Sequence, residues 1–142
     1  MSLANAAGYS GKPVWQKLGL KPELRVLVRG APGDYAGLVG LGDAACNLVG
    51  ARAAFDLAHL FATSARELAK DIDALSPRLP AAGTLWVSWP KKASKVATDI
   101  TEDTVREIAL PLGLVDVKVC AIDAVWSGLK LVWRRERRAG KT

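Results

Sequence analysis

Leu85-Trp86-Val87 is a short apolar run that starts behind Gly83-Thr84 and ends in Ser88-Trp89-Pro90-Lys91-Lys92. An uninterrupted apolar run suits a strand covered on both faces. The proline closes the ladder, and the two lysines charge the loop that follows. A buried strand that opens into a basic loop is how the carboxyl edge of a parallel sheet is built. Open α/β sheets bind their ligands at that edge. The stretch therefore gives a place for a site before it says anything about chemistry.

The rest of the chain supplies the alternation such a sheet needs. A short helix over 10–18, capped by Ser10, puts Val14, Trp15 and Leu18 on one face and ends at Gly19. Residues 24–28 read as the first strand. Gly30-Ala31-Pro32-Gly33 then turns the chain, and Asp34 caps a helix over 35–39. Residues 44–49 form a weak second strand and 55–61 a third. Ser64 and Glu67 have the spacing of a capping box. The helix they open carries Leu68, Ile72, Leu75 and Leu79 as its apolar stripe, faces Lys70, Asp71 and Asp73 to water, and ends near Pro77. A fourth strand covers 83–89. Thr101 caps the next helix, with Ile100 and Val105 at staple spacing. Its buried face is Val105, Ile108, Ala109 and Leu112, and Pro111 lies in its last turn. Residues 114–122 alternate, with Val115, Val117, Val119 and Ala121 on one face and Asp116, Lys118, Cys120 and Ile122 on the other. Residues 128–133 return as an antiparallel partner at the edge of the sheet. The expected fold is one three-layer α/β domain of Rossmann-like type. Its sheet of about six strands is mostly parallel and ends in an antiparallel C-terminal hairpin.

Three segments follow: a flexible N-terminus over 1–9, the α/β domain over 10–133, and a basic tail over 134–142. That tail carries four of the six net positive charges of the 142-residue chain. The domain itself is close to ordinary balance, so the charge argues for weak polyanion attraction through Arg134, Arg135, Arg137, Arg138 and Lys141 rather than for a nucleic-acid-binding surface over the whole domain. No run is long enough to span a membrane, and the N-terminus lacks the basic-then-apolar order of a secretory leader. Cys46 and Cys120 each sit in an apolar segment, as free thiols in a reducing cytoplasm do. One histidine and two dispersed cysteines give no metal site. His59 lies among Leu57, Leu60 and Phe61 as a core or edge residue, with no triad spacing, and no catalytic residue emerges. Asp116 and Asp123 read as strand and turn residues. Trp126 and Trp133 suit core, edge cover or the face of a homodimer, which leaves a monomer or a homodimer open.

Three phrases add a resemblance. Leu18-Gly19-Leu20-Lys21-Pro22 leads into a strand and a glycine-bearing turn. Leu79-Pro80-Ala81-Ala82-Gly83-Thr84 precedes an apolar strand. A β-α-β-β unit closes the order. Together they resemble the S-adenosylmethionine-dependent methyltransferase fold, over about residues 10–133. The chain also resembles an uncharacterised bacterial family through Gly8-Tyr9-Ser10-Gly11, Ser88-Trp89-Pro90-Lys91-Lys92-Ala93-Ser94 and Trp126-Ser127-Gly128-Leu129-Lys130. The methyltransferase resemblance implies S-adenosylmethionine as cofactor. Three departures count against it. Gly30 to Asp34 is not a Gly-x-Gly-x-Gly loop, Leu48-Val49-Gly50-Ala51-Arg52 holds no carboxylate for a ribose, and the chain is short by about one β-α unit.

The expectation is therefore a degenerate, non-catalytic methyltransferase-like domain. It binds a small anionic or nucleotide-like ligand, or a partner, at the carboxyl edge of its sheet. The candidate ligand residues are Gly30, Pro32, Gly33 and Asp34 in the first turn, Arg66 after the third strand, and Trp89, Lys91 and Lys92 after the fourth. An active methyltransferase and a nucleic-acid-associated protein acting through the tail are the alternatives.

Overall fold

The computed structural model describes residues 12–41 and 46–139. The expected flexible segment 1–9, the Ser10 cap, the start of the second strand at Ala44, and Lys141 lie outside the described residues. Strand β1 (Arg25–Arg29) pairs in parallel with β2 (Asn47–Val49) on one side and with β3 (Leu57–Phe61) on the other. β4 (Thr84–Pro90) adds in parallel to β3. The six strands lie in the order β2-β1-β3-β4-β6-β5, with β5 spanning Leu114–Ala121 and β6 spanning Trp126–Trp133.

The reversed strand is not at the edge, which corrects the expectation. β6 runs antiparallel to both β4 and β5 and lies between them. The tight return after Ile122, where Ile122 N donates to Trp126 O at 2.9 Å, forces β6 antiparallel to β5. The other side of β6 then takes up the open edge of β4, from Leu85 opposite Leu131 to Pro90 opposite Trp126. The outermost strand is β5, parallel to β4.

Helices cover both faces. α3 (Ala65–Leu75) and α4 (Glu102–Ala109) bury Leu68, Ile72, Leu75, Val105 and Ala109 against Leu60, Val87, Leu129 and Leu131 of the sheet. On the opposite face lie α1 (Val14–Leu18) and the four-residue α2 (Tyr35–Leu38). There Leu18, Tyr35 and Val39 pack on Val26, Phe61, Trp86 and Ile122. The stripe assigned to α3 is buried as expected, but its last member, Leu79, lies beyond a 3₁₀ turn over Ser76–Arg78 that contains Pro77. Asp71 does not simply face water: it is half-buried and pairs with Arg29 at 3.3 Å.

The two caps differ from their sequence signatures. Ser64 accepts from Glu67 N at 3.3 Å, but among the described residues Glu67 does not return the bond. Asp99 bonds the neighbouring amide instead, with Ala65 N donating to it at 2.7 Å. The reciprocal box is at Thr101 and Thr104.

β5 departs from simple alternation. A register shift between Asp116 and Lys118 puts Leu114 in the core under α4 and Cys120 in the core of the opposite face. Six residues apart, the two would share a face in a regular strand. The extra residue switches the faces and leaves Val117 and Val119 about half exposed. The basic tail begins as a short helix, α5 (Arg135–Ala139), held to the body where Arg134 N donates to Gly113 O at 2.9 Å.

Candidate functional site

The loop after β4 builds a cleft of about 560 Å³ at the carboxyl edge, on the α3/α4 side, with Trp89, Lys91, Lys92, Lys95, Val96 and Ile100 in its wall. Its shape follows from local bonding. Pro90 is the last paired residue of β4. Lys91 N donates to Val125 O at 2.7 Å, which ties the loop to the β5–β6 turn. A 3₁₀ turn over Lys92–Ser94 follows and ends at Lys95, the one described non-glycine residue with positive φ, at 64°. The Ser94 hydroxyl donates to Lys91 O at 2.7 Å and accepts from Val96 N at 3.2 Å. Thr98 Oγ1 donates to Thr63 O at 2.7 Å, which fastens the far side of the loop to the end of β3.

The wall is rich in donors and poor in acceptors. Among the described residues, none of the Lys91, Lys92 and Lys95 ammonium groups has a carboxylate partner. The one acid of the wall, Glu102, is held by Arg106, which also reaches Asp103 and Asp116. Hydrogen bonds to Asp116 and then Glu102 hold the Arg106 guanidinium charged above its usual range. Trp89 is only 6% exposed, and among the described residues its indole N–H has no acceptor. The other two buried indoles are satisfied: Trp86 donates to Leu18 O at 3.0 Å and Trp133 to Leu79 O at 3.1 Å.

The structure brings together three of the eight residues singled out in the sequence, Trp89, Lys91 and Lys92, and adds Lys95. The Lys-Lys-x-x-Lys spacing was the available signal for Lys95. Gly30, Pro32, Gly33 and Asp34 form the turn after β1, beside β3, and do not line this cleft. A Cβ on Gly30, at φ 80°, would stand 2.5 Å from Phe61 O, so the turn is pressed onto the end of β3. Asp34 is used as a cap, accepting from Gly37 N at 3.2 Å. Arg66 is exposed in the first turn of α3, outside the cleft wall, and the α3 amide beside it already serves Asp99. After β2, the carbonyls of Ala51 and Ala53 accept from Arg78 at 2.9 and 3.0 Å. No carboxylate stands in residues 47–53.

Sequence reasoning missed a polar chain under the opposite face. Tyr35 Oη lies 2.8 Å from His59 Nδ1, and His59 Nε2 lies 2.7 Å from Ser88 Oγ. Its signal was weak, because Tyr35 and Ser88 are 24 and 29 residues from His59. His59 and Ser88 have no exposed surface, and burial lowers the His59 pKa to about 3. Burial likewise pushes the Tyr35 phenol up. A hydroxyl, an imidazole and a phenol in line resemble a nucleophile with its base, but an inaccessible serine and a base that stays neutral down to strong acid do not attack a substrate.

A second hollow, of about 430 Å³, lies at the opposite end of β4, between Thr84, Lys130 and Arg138. Arg138 Nε donates to Trp133 O at 2.9 Å. Along β4 the five residue steps from Thr84 to Trp89 separate it from the cleft by about 17 Å at the usual strand rise. No group of three or more potential metal ligands occurs among the described residues. No helix among them is long and apolar enough to cross a membrane.

The arrangement is that of methyltransferase-like Rossmann folds. The chain superposes on a SAM-dependent methyltransferase from Aquifex aeolicus with a TM-score of 0.55 at 15% identity, covering 83% of this chain and 86% of that one. Magnesium protoporphyrin IX methyltransferase from Synechocystis PCC 6803 gives 0.55 at 12% identity, over 85% and 74% of the two chains. A protein of the NADB-Rossmann superfamily from Streptococcus agalactiae gives 0.54 at 14% identity, over 91% and 71%. These likenesses define the fold. No protein-family model matches the chain, and no curated protein does.

Proposed function

We infer that this domain binds a small anion at the carboxyl edge of its sheet, in the cleft of Trp89, Lys91, Lys92 and Lys95, and carries out no methyl transfer. The observation that carries this reading is one cleft lined by three ammonium groups with no carboxylate partner and by Trp89, whose indole N–H has no acceptor, among the described residues. An anion supplies acceptors to all of them at once, and a concave wall of one charge sign concentrates it.

The fold alone favours S-adenosylmethionine-dependent methyl transfer, but the residues present do not fit that cofactor. No carboxylate stands in residues 47–53, at the end of β2, to receive ribose hydroxyls, and Gly30 is packed onto Phe61. Polyanion attraction through the tail has less support, because Arg138 is partly engaged with the body.

Calorimetric titration of the full chain with pyrophosphate, for the wild type and for Lys91→Ala/Lys92→Ala, tests the reading. The expected outcome is binding that the double substitution weakens about tenfold or more and that raised salt also weakens. Equal affinity in the variant overturns the assignment.

A further inference from the structure

The geometry points to an organic phosphate as the ligand of this cleft, one that joins at least two negative charges to an apolar or planar body. This rests on the anion reading above and deepens it. Free phosphate satisfies the charge but not the walls. Pro90, Val96, Ala97 and Ile100 line the same cleft, and Val96 is 43% exposed there. A cleft of about 560 Å³ falls in the range of roughly 300–1,000 Å³ usual for small-molecule sites. The hydroxyls sort the same way. Thr98 and Thr101 are occupied within the loop and the cap. The Ser127 hydroxyl, across the strand from Trp89, has no partner among the described residues. Three kinds of donor, three lysine ammonium groups, an indole and a serine hydroxyl, then share the wall with one acid that Arg106 already holds. A ligand that accepts many hydrogen bonds and donates few is selected.

Lys95 is the residue that ties charge to shape. It occupies the left-handed position that ends the 3₁₀ turn, where glycine is usually found and a side chain is strained. Strain kept at a cleft wall, on the third cation of the set, is what a ligand contact explains and a solvent-exposed loop does not.

The experiment is calorimetric titration of the full chain with inorganic phosphate, pyrophosphate, ADP and S-adenosylhomocysteine, with thermal unfolding of each variant alongside. ADP should bind about tenfold more tightly than pyrophosphate, which corresponds to modest extra apolar burial. S-adenosylhomocysteine, an adenosyl compound with no phosphate, should bind far more weakly. Lys95→Gly should weaken ADP about fivefold while raising the Tm of the free protein. Pyrophosphate binding as tightly as ADP overturns the organic-phosphate inference and leaves the anion site standing. S-adenosylhomocysteine matching ADP overturns it as well. An unchanged ADP affinity in Lys95→Gly places the ligand elsewhere and overturns it too. No binding of any phosphate overturns both readings.

Discussion

Under α3 and α4 the sheet is lined by aliphatic side chains and tryptophan: Leu60, Leu85, Val87, Leu129 and Leu131 meet Leu68, Ile72 and Val105. Under α1 and α2 the same sheet buries a phenol, an imidazole, a hydroxyl and an indole N–H, each with a partner. The first face is held by area removed from water, which tolerates small changes of shape. The second is held by a chain in which every member needs its neighbour, since a buried polar group that loses its partner pays its full desolvation cost. α2 is only four residues long, so the helical layer over this face offers little area. Hydrogen bonds there do part of what long amphipathic helices do on the other side.

The largest expected effect that would break this comparison is acid. His59 is the one histidine of the chain, and its folded pKa of about 3 lies below the usual 6.5. The unfolded chain takes up a proton below 6.5 that the folded one refuses. This contribution is complete above 6.5 and is lost as pH falls towards 3, at up to about 1.4 kcal/mol per pH unit. Denaturant unfolding at pH 7, 6 and 5, above the range where carboxylates titrate, isolates it. A flat profile there would show that His59 finds solvent in the folded state.

Next comes His59→Leu, which leaves the Tyr35 and Ser88 hydroxyls buried without partners and should cost about 3 kcal/mol. Adding Tyr35→Phe and Ser88→Ala should recover most of that loss, because an apolar replacement of the whole chain restores consistency. A triple variant as weak as the single one would mean that the cost was one of volume and not of hydrogen bonding. The smallest effect belongs to the aliphatic face. Ile72→Val removes one methyl group and should cost about 1 kcal/mol, with no change in pH dependence.

The two faces were also unequally legible. The α3 stripe, the α4 face and the run at Leu85 to Val87 follow from periodicity, because a helix or strand buried by area writes its spacing into the sequence. The polar chain did not, since each of its residues is ordinary alone and the partners come from α2, β3 and β4. The parity change in β5 was hidden for a related reason: one extra residue leaves the local pattern of valines intact while switching which face is buried. At the cleft, Trp89, Lys91 and Lys92 were visible because strand, proline and charge are consecutive. Lys95 entered only through the left-handed turn, and the unsatisfied Trp89 indole only through burial. Gly30 to Asp34 was read as a ligand turn with a cap. The cap is there, and its glycine serves close packing against β3.

The placement of β6 between β4 and β5 has a consequence for how the chain is made. β5 leaves the ribosome before β6, yet it has no strand to pair with until β6 arrives, and until then β4 presents an open ladder edge. The sheet is therefore completed only once residues through Trp133 have emerged. An interruption of synthesis between Ala121 and Trp126 would leave two unpaired strand edges, rich in valine, leucine and tryptophan, on a half-built domain. Stalled chains of that length are the ones that should depend on a chaperone.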